Sequence, residues 1–477
     1  MPIFELKDKQ RSTFEKSRIK HLVLRKLDFT LLPILCIIYL LSYLDRSNIA
    51  NARLAGIEED THLTNIQYQW SLSIFFIGYI LCEVPSNLIL RRWRASKWIA
   101  IIMLAWGIVA VCMAAIKSFV GLIICRFLLG VFEAGLFPGI IYYMSLWYKR
   151  KEQAVRLGLF WSFSSLAGLF SGLIAYGIMQ IKSPLSHWQL IFIIEGVPTI
   201  LLAVFCWIFL PDSPEQCRFL NEEERSFEIN RLAKDAGAAG DRSFSWAQVL
   251  SVFKDWKTYV YMVIYITGSV ALQSITLFLP SIISGMGKWD DIKTQLMTIP
   301  PYCVAFITTI LLSFSSDHFV ERSLHMVFIN VISMCGFLIL IFVNRQQVFI
   351  LYFGAILVTA GVYANVLLKI VWFNNNFAGL TRRAVAGAAI VSFGTIGGVI
   401  SSQIYPSSTK PKYYMGNAIS LSCVGIQAIL AILLRLVFMY ENRRRSHLND
   451  EQKIKEIQYY GGVELAGDHH PDFRYTL

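Results

Sequence analysis

Residues 98–116, 157–181, 258–287 and 384–408 run without a single Asp, Glu, Lys or Arg. A helix rises about 1.5 Å per residue, so roughly 20 such residues cross the hydrocarbon layer of a bilayer, and each run is of that order. No water is available there to satisfy backbone N–H and C=O groups, which must close within a helix or around a sealed barrel. Barrel strands read as short alternating segments, whereas these runs are continuous, and helices are the expectation.

Apolar stretches recur from end to end of the 477 residues, of which 55% are hydrophobic and 16% charged. Twelve spans are expected, near 27–50, 66–90, 97–116, 119–147, 155–181, 188–210, 257–284, 292–316, 322–343, 346–372, 383–405 and 413–438. The fold class is therefore an all-α integral membrane protein. One long polar insert, 211–256, carries PDSPE at 211–215, an acidic run at 222–224 and a Gly/Ala-rich stretch at 235–240. It divides the chain into a tail (1–26), a six-helix bundle (27–210), a linker (211–256), a second six-helix bundle (257–440) and a polar tail (441–477) expected to be partly disordered. Two packed halves around a central site suit transport by rocking one half against the other.

The net charge of +12 does not point to nucleic acid, because the basic residues hug span ends and are not interleaved with aromatics on a soluble domain. With twelve spans, the tail 1–26, Arg91, Arg92, Arg94 and Lys97, the turn at Lys149 to Lys151, Arg382 with Arg383, and Arg443 to Arg445 all fall on one side. The positive-inside rule makes that side the cytoplasm and places both termini there, with the plasma membrane as the default location. A charged N-terminus and a late first apolar run argue for insertion by an internal helix rather than a cleaved leader. Nine scattered cysteines without CxxC spacing read as small buried hydrophobes. There is no HExxH, Walker loop or nucleophile elbow, so neither an enzyme nor a metal or cofactor is expected, and His469 and His470 in the tail make poor ligands.

What remains is a handful of charges inside the spans, each costing about 2.5–3.5 kcal/mol on insertion scales and usually facing a bundle interior or water-filled path. In CRFLLGVFEAGLFPG, Arg126 and Glu133 are seven residues apart on one helix face. They read either as a structural pair or as a fixed cation for an anionic substrate beside a carboxyl that takes up a proton. Asp45 and Arg46 lie late in the first span, at a depth that allows Asp45 to reach Arg126, or else at the membrane edge. Tyr79 and Glu83 share a face; Tyr79 can donate to substrate, and Glu83 can pair with the basic residues of 91–97. Glu195 reads as a packing carboxylate, and Lys369 as a side chain snorkelling to the cytoplasmic face. The second half is nearly empty of ionisable residues, which leaves neutral groups such as Gln273 and Asn365 as its substrate contacts.

Several segments also resemble a known family: YLDRSNI at 43–49, EVPSN at 83–87, RFLLGVFEAGLFPG at 126–139, FIIEG at 192–196, PDSPE at 211–215, SITLFLPSII at 274–283 and WFNNNFAGLTRR at 372–383. Together they resemble the anion:cation symporter branch of the major facilitator superfamily. Within it the chain is most similar to the fungal allantoate permease group, whose members carry allantoate, nicotinate, pantothenate and related organic anions. The resemblance covers about residues 22–440. It implies a monomer of twelve helices in two six-helix bundles (the major facilitator fold), alternating access, and proton as the coupling ion. Arg126 matches the family's substrate-carboxylate arginine, Glu133 and Asp45 its proton-coupling carboxylates, Arg46 and Tyr79 site-lining positions, and Asp317 the gating-loop aspartate, with Arg322 nearby. The chain departs from the pattern in SNLILRRWRASK, which lacks an Asp, at Thr395, where many relatives have Asn, and at Leu129, where vesicular sialic-acid relatives have Glu. The expectation is a secondary active transporter, a proton-coupled symporter of a small carboxylate; a passive uniporter of the same anion and a non-transporting nutrient sensor are the alternatives.

Overall fold

The computed structural model describes residues 3–237, 246–287, 289–378, 380–459, 462 and 467–477. Among the described residues, twelve helices are long and apolar enough to cross a membrane. They are α1 (Arg18–Leu54), α2 (Asn65–Leu90), α3 (Ala95–Ala115), α4 (Phe119–Ser145), α5 (Val155–Ile178), α6 (His187–Phe209), α7 (Trp256–Ser284), α8 (Asp291–Phe319), α9 (Ser323–Phe342), α10 (Val348–Asn376), α11 (Val385–Gln403) and α12 (Tyr414–Ser446). The chain is thus an all-α, multi-pass membrane protein. An even number of spans puts both termini at one face, called here the terminal face.

In the first half α1 packs on α5 and α6, α2 on α4, and α3 on α6; in the second, α7 packs on α11 and α12, α9 on α10 and α12, and α8 on α10. The halves meet along α5 and α8, α2 and α11, and α1 and α7. Burial separates central from peripheral helices: 89% of the most apolar window of α7 is buried but only 33% of that of α12. Leu201, Ile208 and Phe209 on α6, and Leu311 and Phe314 on α8, are exposed apolar side chains of the kind that a bilayer covers.

Close approach of α2 and α4 depends on glycine. A Cβ at Gly130 would lie 2.0 Å from the carbonyl oxygen of Phe75, and one at Gly135 would lie 1.8 Å from Ser86 Oγ. At Gly135 the helix also breaks, with Phe119–Glu133 ending and Leu136–Ser145 starting, so the chain turns there without leaving the contact.

At the face opposite the termini, the halves are tied together. Arg53 donates to Ser407 (2.8 Å), Ser407 to Asn65 (2.6 Å) and Gln403 to Ser73 (2.6 Å). On the terminal side, the linker helix Glu222–Gly237 holds the first half through Lys26–Glu224 at 2.7 Å and Arg231–Glu152 at 2.8 Å.

The C-terminal tail, expected to be partly disordered, is ordered over its described part. Asp450–Tyr459 is helical, and 467–477 is docked on the second half. Asp468 is fully buried, bonded to Lys257 and 3.3 Å from Arg382, while Lys257 also donates to Tyr475 at 2.8 Å. Trp372 donates to the Thr476 carbonyl at 2.9 Å and Arg445 to that of Phe473 at 2.9 Å. Lys257 and Arg382 share one acid, Asp255, and Arg445 meets Glu441; the tail adds a second acid and further carbonyl partners to this cluster. Burial by itself would raise the Asp468 carboxyl, but Lys257 and Arg382 outweigh it and hold the group below the usual carboxylate range. Burial, with Lys257 alongside, pushes His469 down to about 4, so its ring is neutral in neutral solution.

Candidate functional site

A cavity of about 60 Å³ lies where the halves meet, with room for a few water molecules. Its first-half wall comes from α1, α2, α4 and α5, and its second-half wall from α7, α10 and α11. On α1, Tyr39, Tyr43 and Arg46 are spaced four and three residues apart, so they share a face, and all three line the cavity. Tyr79, Phe137, Trp161 and Tyr265 complete an aromatic collar around it.

Arg46 is the charged centre of the first-half wall. Its Nη2 lies 2.6 Å from Oε1 of Glu133, and Ser42 donates to that same oxygen. The other carboxylate oxygen, Oε2, has no hydrogen-bond partner among the described residues. Three rings surround the guanidinium, Tyr43 at 4.9 Å, Phe75 at 5.2 Å and Tyr79 at 5.4 Å, and their negative faces favour a cation.

Asp45 follows a different path. One residue of helix turns a side chain by about 100°, which takes it away from the cavity and into the packing of α1 against α3 and α6. There Oδ2 accepts from Trp106 (3.2 Å) and Thr199 (3.0 Å), while Oδ1 is unpartnered among the described residues. The lateral Asp45 to Arg126 pairing does not form.

Arg126 is fully buried in the interior but does not line the cavity. Its guanidinium sits 4.9 Å from the ring of Phe75, the ring that Arg46 also uses, and its Nε donates to the Ser71 carbonyl at 3.4 Å. Nη1 and Nη2 have no partner among the described residues. Glu133 shares its helix face, as expected, yet is bonded to Arg46 of α1.

Of the second-half expectations, Gln273 lines the cavity, and its Oε1 is unpartnered among the described residues. Asn365 lies outside the cavity lining: it donates to Gln427 at 3.1 Å and to Asn330, within the second bundle. Thr395, the position that departs from the family pattern, faces the cavity.

Lys369 does not snorkel. α10 runs from the opposite face toward the terminal face, and side chains on a helix tilt toward its N-terminus. The Lys369 side chain is accordingly carried back toward the middle, where it lines the cavity with its Nζ 4.2 Å from the centre of the Tyr265 ring. Glu83 likewise departs from expectation, accepting from Ser392 of the second half at 2.9 Å instead of meeting the basic turn after α2. Glu195 is buried, with both carboxylate oxygens unpartnered among the described residues, as part of the packing of α6.

Asp317 in the last turn of α8 is bonded to Arg322 at the start of α9, and Arg322 also donates to Ser316 at 2.8 Å. The ties across the opposite face come from Arg53, Asn65, Ser73, Gln403 and Ser407, which sequence reasoning passed over. Arg53 lies seven residues beyond Arg46 on the same helix face, and that spacing was the available signal.

Residues 35–402 match the family described as Major Facilitator Superfamily. The chain is 35% identical over 437 residues to the MFS-type transporter efuF of Hormonema carpetanum, covering 91% of this chain and 88% of that protein. It is 34% identical over 463 residues to the major facilitator-type transporter hxnP of Emericella nidulans, covering 95% and 92%. Among solved structures, the xylose transporter XylE from E. coli is similar with a TM-score of 0.66 at 13% identity, over 83% of this chain and 96% of that one. A bacterial homolog of the human lysosomal transporter Spinster gives 0.59 at 16% identity, over 85% and 95%. At such identities the two structures speak to fold alone.

Proposed function

Since the chain belongs to the major facilitator superfamily, we propose that it carries a small organic anion inward together with a proton, as a member of the anion:cation symporter branch and of its allantoate permease group. The observation that carries this reading is the Arg46–Glu133 pair on the wall of the interface cavity, 2.6 Å apart with a second carboxylate oxygen left over. A substrate carboxylate entering the cavity competes with Glu133 for one guanidinium. When it wins, Glu133 is left as a carboxylate without a counter-ion in a dry setting, where a lone charge is costly, and it takes a proton. Loss of that proton restores the pair and expels the anion. Substrate and proton thus enter and leave together, and the rings around Arg46 exclude water from the exchange.

Arg126 supports the same reading from behind Phe75: its two unpartnered nitrogens make the site's potential more positive than the Arg46–Glu133 pair alone would. Asp45, bonded to Trp106 and Thr199, is the second carboxylate of the scheme. By the positive-inside rule the terminal face is cytoplasmic, so the ties at Arg53, Asn65 and Ser407 close the outer mouth. A monoanion crossing with one proton is electroneutral and driven by the pH difference alone, whereas each uncompensated charge adds about 2.3 kcal/mol per 100 mV.

Uptake of labelled carboxylates into cells or vesicles tests the proposal. Uptake should rise as the outside is acidified and collapse with a protonophore. Uptake indifferent to protonophore would instead identify a passive uniporter, and ligand-induced stabilisation without any uptake would identify a sensor.

A further inference from the structure

We propose that Lys369 is a second anion anchor and that the cavity selects a dicarboxylate, held by Arg46 of the first half and Lys369 of the second. The inference rests on the reading of this cavity as the organic-anion site.

Lys369 is 2% exposed, and among the described residues no carboxylate or other hydrogen-bond acceptor contacts its ammonium. A buried ammonium without a counter-ion is expensive, and among the described residues the other buried cations, Arg126 apart, have an acid beside them. Lys257 meets Asp255 at 3.4 Å as well as Asp468, Arg382 meets Asp255 at 2.6 Å, Arg53 meets Glu58 at 2.9 Å, and Arg231 meets Glu228 at 2.7 Å. Lys369 instead has the Tyr265 ring on one side and the open cavity on the other. The partner it lacks is one that the cavity admits.

Charge counting then decides what kind of anion fits. The walls carry Arg46, Lys369 and Glu133. Once a ligand carboxylate has displaced Glu133 and Glu133 has taken its proton, two cations remain. A monocarboxylate neutralises one and leaves the other buried without a partner, while a dicarboxylate neutralises both with charge-assisted hydrogen bonds. The anchors stand on opposite halves, so a ligand with an acid group at each end also bridges the interface that must rock. Gln273 and Thr395 provide neutral hydrogen-bonding groups on the Lys369 side.

The test uses purified full-length protein and two ligand series: unbranched dicarboxylates from malonate to adipate, and the monocarboxylates of matching chain length. Affinity is read by calorimetry or ligand-induced thermal shift. Wild type should bind its best dicarboxylate about tenfold or more tightly than the matched monocarboxylate. Lys369→Gln should abolish that preference by weakening the dicarboxylate far more than the matched monocarboxylate, and Lys369→Arg should keep it. Equal binding of the two series by wild type overturns the proposal without any variant, so poor folding of Lys369→Gln does not shield it. Unchanged dicarboxylate preference in Lys369→Gln also overturns it, as does an equal loss for both series. If wild type binds no carboxylate of either series, the anion-site reading itself fails, a result distinct from the loss of preference.

Discussion

Two buried charge clusters in this molecule are built differently. At the terminal face of the second half, Lys257, Asp255, Arg382 and Asp468 each have opposite charges within 3.4 Å on more than one side. In the middle of the first half the charges are incompletely matched: Oδ1 of Asp45, Oε2 of Glu133 and both terminal nitrogens of Arg126 lack partners among the described residues. A closed network resists rearrangement, because every member is held by two opposite charges and no alternative pairing is better. An open one has alternatives of nearly equal cost, so a ligand or a proton can change the pairing. The first cluster reads as a fastening and the second as a working site.

The sharpest way to break that distinction is at Arg46. Arg46→Gln strands Glu133, and loss of a buried partner costs about 3–5 kcal/mol. Uptake should fall by about a hundredfold or more, and the melting temperature should drop as well. Adding Glu133→Gln should restore the melting temperature but not uptake, whereas Glu133→Gln alone should retain anion binding and lose the dependence of uptake on outside pH. If Arg46→Gln affects stability only, the working-site assignment is wrong.

The converse substitution lies in the fastening. Asp468→Asn should lower stability by a few kcal/mol, since it leaves Lys257 and Arg382 short of an acid. Substrate affinity and pH dependence of the protein that remains folded should not move. A change in affinity would mean that the two clusters are coupled.

A smaller effect is expected at the mouth opposite the termini. Ser407→Ala removes the acceptor of Arg53 and the donor to Asn65, at about 1 kcal/mol per hydrogen bond. Cysteine accessibility in the cavity from that side should increase several-fold, with the melting temperature nearly unchanged.

The gentlest test is acidification of the tail. His469 is held down to about 4, against an ordinary value near 6.5, so the unfolded or undocked tail binds a proton that the docked tail refuses. Docking is therefore fully favoured above about pH 6.5 and weakens progressively as pH falls toward 4. Protease sensitivity or hydrogen exchange at 467–477 should rise over that window and stay flat above it. His469→Gln should remove the dependence.

How far the site was legible differs residue by residue. Tyr79 and Gln273 reach the cavity, and Arg46 and Glu133 meet there, because helical spacing states which face a side chain occupies. The same spacing put Arg126 on the face of Glu133, but it carried no information that Phe75 of another helix would stand beside it. Lys369 was misread from depth alone: its distance along α10 suggested the near surface, while the tilt of helical side chains and the neighbouring Tyr265 direct it inward. Asn365 looked available only because Asn330 and Gln427 are remote in sequence.

Twelve helices, their even count and the side on which basic residues gather were determined by sequence alone. Each depends on a local quantity: about 20 apolar residues match a hydrocarbon layer, and the backbone must satisfy itself within the segment. Which cation meets which acid was decided only by tertiary structure. In a dry interior the energy of a charge is set by neighbours within a few ångströms, and those neighbours belong to helices tens or hundreds of residues away, as Arg46 with Glu133 and Lys257 with Asp468 both show.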